Sequence, residues 1–225
     1  MYSQAGSQPN QLTVYRFTIL FAVLHCAFFI ASLIVVPALA PGARIPNPFG
    51  PNGPSLAFLL QASSAIRVSA FLQILSACTL AALAATLANI GKSLRPTSAA
   101  SMFTLVGGVG SALLLALTAL FSWALACPGC VDPGPAFRSM QFVPFLLGGP
   151  GWAGFFAIFL AGVSALAAGK LPSWLTGVGY FLAVISALAT LVLITIFASP
   201  CLPIARFLGF LWLILVAILL LRKAG

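Results

Sequence analysis

The chain of 225 residues is 62% hydrophobic and 5% charged, with a single acidic residue, a single histidine and a formal net charge of +9. Water-soluble domains carry about 25% charged residues, so a soluble globular fold is excluded. The apolar runs are continuous, which excludes the two-residue alternation of a membrane barrel. The cations stand singly or in pairs, which argues against a nucleic-acid partner and leaves the lipid bilayer as the first partner.

Several runs reach about 20 residues, enough to cross a hydrocarbon core about 30 Å thick. They predict an all-α polytopic membrane protein with six transmembrane helices. Residues 1–15 form a polar arm and residues 16–225 a single membrane domain. The first span covers 17–36 and holds His25 and Cys26. It is too long for a signal-peptide core, and Ala38-Leu39-Ala40 runs into Pro41, a poor cleavage context. Pro37 and Pro41 are expected to end this helix. Residues 37–54, with six prolines and three glycines, read as an irregular loop. Residues 55–66 fit either an interfacial helix or the first turns of a long tilted one.

Arg67 opens the second span, 68–91, and Lys92 with Arg95-Pro96 makes a basic turn. The third span is 99–126. The fourth starts near Pro150 and runs to 169, the fifth covers 172–198 and the sixth 203–221. Six spans put both termini on one side, with Arg16, Lys92, Arg95, Lys170, Arg222 and Lys223. Arg44, Arg67, Arg138 and Arg206 fall opposite. The bias of cations toward the first side predicts cytoplasmic termini, N-in and C-in. Small residues recur every fourth position at Ala77, Ala81 and Ala85, at Ala153, Ala157, Ala161 and Ala165, and at Gly179, Ala183 and Ala187. Such stripes let helix backbones approach closely. Trp123, Trp152 and Trp174 are placed as an interfacial belt would place them.

Chemistry is expected near the stretch from Cys127 to Trp152, which holds Cys127-Pro128-Gly129-Cys130 and the only acid, Asp132. Cys127, Cys130 and Cys201 share one end of the bundle. One reading is a quinone-coupled thiol–disulfide oxidoreductase using Cys127 and Cys130. Against it, Cys127 sits at a helix C-terminus, whose negative end disfavours a thiolate. The structural alternative is a bond from Cys201 to Cys127 or Cys130, closing a loop of about 70 residues and stabilising by about 4 kcal/mol. No metal site is expected. His25, near mid-membrane, is a candidate haem or pigment ligand. It lacks a second histidine to complete an axial pair, so a hydrogen bond to a neighbouring helix is favoured and no cofactor is predicted.

Arg67, Arg138 and Arg206 against Asp132 form the remaining candidate site, for an anionic lipid or small anion or, more simply, an ion pair. With one acid and one histidine, general acid–base catalysis has almost no candidates. Ile66-Arg67-Val68, Leu94-Arg95-Pro96, Leu171-Pro172-Ser173-Trp174-Leu175 and Phe207-Leu208-Gly209 with Leu211-Trp212 resemble a family of six-helix bacterial integral membrane proteins of unknown function. The resemblance implies six helices in a bacterial inner membrane and supplies no activity. The functional expectation is a non-catalytic accessory or scaffold subunit of a larger membrane complex, with other membrane subunits as partners.

Overall fold

Lipid offers no partner for backbone N–H and C=O groups, so each apolar run closes its hydrogen bonds internally as a helix. A computed structural model of the protein describes residues 8–43, 52–95, 97–127 and 136–224. Its helices are α1 (Gln8–Leu39), α2 (Asn52–Leu94), α3 (Ala100–Leu125), α4 (Ala136–Leu146), α5 (Trp152–Ala167), α6 (Ser173–Leu188) and α7 (Cys201–Ala224). A π-helical turn, Leu147–Gly151, fuses α4 to α5. Six stretches are long and apolar enough to cross a membrane: Leu12–Leu39, Gly53–Leu94, Ala100–Leu125, Ser139–Ala167, Ser173–Leu193 and Ile196–Lys223.

Several limits differ from those legible in the sequence. α1 passes through Pro37 and closes only at Leu39, where Ala40 N–H bonds Val36 O and Gly42 turns the chain at φ 88°. α2 is unbroken from Asn52, so residues 55–66 are the first turns of a long helix. Its 43 residues make about 65 Å at 1.5 Å per residue, roughly twice the hydrocarbon thickness. Ala62, Ala65 and Ile66 hold the extra turns in place by packing with Ala40 and Ala126. The fourth crossing begins at Ser139 and runs through both Pro144 and Pro150. After α6 the chain tightens into 3-10 turns at Ala189–Leu193 and Ile196–Ala198, with extended Thr195 between them.

The helices pack as a closed ring, each touching the next: α1 on α2, α2 on α3, α3 on α5, α5 on α6, α6 on α7, and α7 back on α1. α5 also reaches α2 and α7, and its crossing is the most enclosed. At the end carrying both termini, cations bond carbonyls at the end of α5 and in the turn that follows it. Arg95 Nη2 donates to Ala168 O and Lys223 Nζ to Lys170 O. The same half is knit by glycine. A Cβ at Gly107 would fall well inside contact distance of the Phe159 backbone nitrogen, and one at Gly162 would meet Thr104 N. α3 and α5 thus cross backbone to backbone.

At mid-depth an aromatic layer fills the ring. Trp152 stacks on Phe156 at 4.3 Å, and Phe210 lies edge-on to Trp152, Phe156, Phe29 and His25. Trp152 is therefore a core residue, 1% exposed, and not part of an interfacial belt. Its helix starts a dozen or so residues earlier than expected, which moves it from a helix end to the middle of the crossing. Trp123 and Trp174 are exposed near helix ends. The small-residue stripes are only partly inward: Ala77, Ala153, Ala157, Gly179 and Ala183 are buried, whereas Ala85 and Ala187 are exposed. A four-residue step on a 3.6-residue helix drifts about 40°, enough to carry a stripe off the interface within two steps.

Candidate anion-binding cavity

Above the aromatic layer, away from the termini, a partly open cavity of about 240 Å³ lies between α1, α2, α3, α4 and α7. Its walls are apolar, chiefly Phe29, Leu33, Leu115, Phe145 and Leu202. Gln73, Thr118 and Arg206 are the polar side chains that line it. Leu33 lies one turn beyond buried Phe29 on the same side of α1 and is 44% exposed, at the open side of this space. A larger recess of about 330 Å³ lies between α1 and α2 near the termini. It is lined by Val14, Phe17, Phe21, Ala85, Thr86 and Asn89 and carries no charge.

Arg206 is the centre of the cavity. It sits in the second turn of α7, and its guanidinium carbon lies 4.3 Å from the Trp152 ring centroid and 5.0 Å from that of Phe29. Cation–π attraction of this kind offsets part of the desolvation of a charge. Arg206 Nη2 donates to Gly148 O. That carbonyl is available because of the π turn: Trp152 N–H bonds Leu147 O and Gly149 O and bypasses Gly148 O. Arg206 Nε is buried without an acceptor, and Gln73 Oε1 is buried without a donor. Thr118 Oγ1 gives its proton to Leu114 O at 2.8 Å, which leaves its lone pairs open. Gly148 and Thr118 are close enough that a Cβ on Gly148 would stand 2.8 Å from Thr118 Oγ1.

Of the expected arginine cluster, only Arg206 reaches the cavity among the described residues. Arg67 lies on α2 outside it, with its own Nε buried and unbonded. Asp132, Cys130 and the Arg138 side chain lie outside the described residues. Cys127 and Cys201 are free thiols, so the structure forms no Cys127–Cys201 bridge, and Cys26 and Cys78 are free as well.

His25 is 1% exposed and ties α1 to α2. Its Nδ1 lies 2.9 Å from Ser76 O, and Ser76 Oγ donates to His25 O at 3.0 Å. With Nδ1–H given to that carbonyl, a tautomer assigned from the hydrogen bonding, Nε2 is left without a partner. The Phe210 ring lies 4.4 Å away and edge-on. His25 thus joins α1 to α2 through hydrogen bonds with Ser76.

Four parts of the cavity were not singled out from the sequence: Gln73, Thr118, Phe29 and the Gly148 carbonyl. Gln73 alone left a signal, as the only side-chain amide between Val68 and Ala88. Compared with family models, curated proteins and solved structures, the chain matches none. The resemblance seen in Ile66-Arg67-Val68 and the other short motifs therefore identifies no family, and the six membrane-length helices stand on the chain itself.

Proposed function

We propose that the protein is a non-catalytic integral membrane protein that holds a small anion or an anionic head group at Arg206. The observation that carries this reading is a guanidinium deep among apolar helices, beside an empty volume, with one N–H lacking an acceptor. Buried charges are ordinarily paired, and intramembrane ionisable groups mark ligand or ion sites. An anion in the cavity would supply the missing counter-charge. The chain's single acid and single histidine leave such a ligand without a general acid–base pair, so binding is the whole of the activity. The role that fits is an accessory or scaffold subunit of a larger membrane complex.

Purified protein in phosphatidylcholine nanodiscs tests the binding. Anionic probes should change the emission of Trp152, which stacks on Arg206, and a probe-independent spectrum across anions would sink the reading. Isolation from the native membrane in mild detergent tests the role, since a lone monomer would remove the subunit. For placement, we infer a bacterial inner membrane with both termini cytoplasmic, supported by the six-to-four division of cations. In a background without native thiols, Asn52→Cys and Ala136→Cys should label with impermeant reagent from outside. Ser93→Cys should not, and its labelling in intact cells would reverse the orientation.

A further inference from the structure

We propose that the Arg206 cavity selects a singly charged anion that carries its own hydroxyl donor, an inference that rests on the anion-binding reading above. The charge count comes from the lining. Arg206 is the only cation among the described residues of the cavity wall, and one negative charge balances it in a low-dielectric space. The guanidinium presents a fork suited to a carboxylate or a phosphodiester, and its contacts with Trp152, Phe29 and Gly148 O hold that fork in one orientation.

The need for a donor comes from Gln73. Gln73 Oε1 is buried and receives no hydrogen bond. Thr118 Oγ1 has spent its proton on Leu114 O and can only accept. An anion that brings acceptors alone would satisfy Arg206 and leave Gln73 Oε1 unmet, at the usual cost of an unsatisfied buried acceptor. A ligand with an anionic group and a neighbouring hydroxyl satisfies both Arg206 and Gln73 Oε1. The volume of about 240 Å³ suits a head group, below the roughly 300–1,000 Å³ of drug-sized pockets. The chemistry is that of a phosphodiester bearing a glycerol hydroxyl, whether attached to a lipid or free in water.

The full chain in phosphatidylcholine nanodiscs distinguishes the parts of this inference. Four probes are titrated: phosphatidylglycerol, phosphatidylmethanol with equal charge and no hydroxyl, added phosphatidylcholine, and glycerophosphoglycerol, the free head group. Phosphatidylglycerol should bind at least about ten-fold more tightly than phosphatidylmethanol, the weight of one hydrogen bond to an otherwise unmet acceptor. Gln73→Leu should bring the two lipids close to equality while phosphatidylmethanol affinity holds. Equal binding of the two lipids by the unmodified chain overturns the hydroxyl requirement and leaves anion binding standing. Failure of every anionic probe overturns both. Glycerophosphoglycerol binding within ten-fold of the lipid assigns the ligand to the aqueous side, and binding of the acylated form alone assigns it to the leaflet. Either result carries the shared chemistry. The comparison in the unmodified chain decides the matter even if Gln73→Leu fails to fold.

Discussion

The two halves of the bundle solve opposite problems with the same residue types. In the half that holds the termini, glycines bring backbones together, and Arg95 and Lys223 bond Ala168 O and Lys170 O. In the other half glycine opens structure. Gly148 and Gly149 line a cavity, and the carbonyl of Gly148 is released to Arg206. The first half has its cations on exposed helix ends, where they cost little. The second keeps a cation inside, between two aromatic rings. The cation-lined cavity belongs to the second half.

Substitutions at the two ends should separate these roles. The largest effect belongs to the knit half. Gly107→Val sets a branched side chain against the backbone of Phe159, which cannot swing away, and should cost about 3 kcal/mol or more as overpacking. Thermal melting and the monodisperse fraction on size exclusion would show it, and a variant that melts like the parent would refute the backbone-to-backbone crossing. Arg206→Met should behave the other way. Anion affinity should fall at least about 100-fold, as expected when a buried charged partner is truncated. The fold should keep its melting temperature within a few degrees, because a desolvated charge leaves together with its cation–π contacts. A collapse of stability in that variant would mean that the cation serves the fold.

Smaller effects mark the boundary between the halves. Ser76→Ala removes the hydroxyl that donates to His25 O and should cost about 0.6–2 kcal/mol, the range for hydrogen bonds between membrane helices. The test is the melting temperature with anion affinity measured alongside, and only the first should move. Gly177→Ala should change stability by less than about 0.5 kcal/mol, since a Cβ there meets nothing within 4 Å. A large loss at Gly177 would point to a neighbour that packs on this face of α6.

The sequence legibly carried six crossings because continuous apolar runs have one stable form in lipid. It carried their limits poorly, and for identifiable reasons. The start of α2 is hidden by Gln61, Ser63 and Ser64, which break the apolar run without breaking the helix, since Ala62, Ala65 and Ile66 still pack inward. The fourth crossing looked as though it began at Pro150, a residue that usually marks a helix start. In the structure the π turn absorbs that proline within a helix. Arg206 was visible as a charge in an apolar run, but its partner was not, because a backbone carbonyl has no letter in the sequence. Gln73 and Thr118 come from other helices, and their nearness to Arg206 exists only once the ring has closed.

A π turn is what remains when one residue is inserted into an α-helix. Deleting a single residue between Leu147 and Gly151 would let the fourth crossing rewind as ordinary α-helix. Everything on its N-terminal side, Phe145 included, would then turn by about 100° and slide about 1.5 Å. Gly148 O would go back to an amide proton, and Arg206 would lose its acceptor. The cavity therefore depends on a difference of one codon, and a chain of this architecture could gain or lose it in a single genetic step with its six crossings intact.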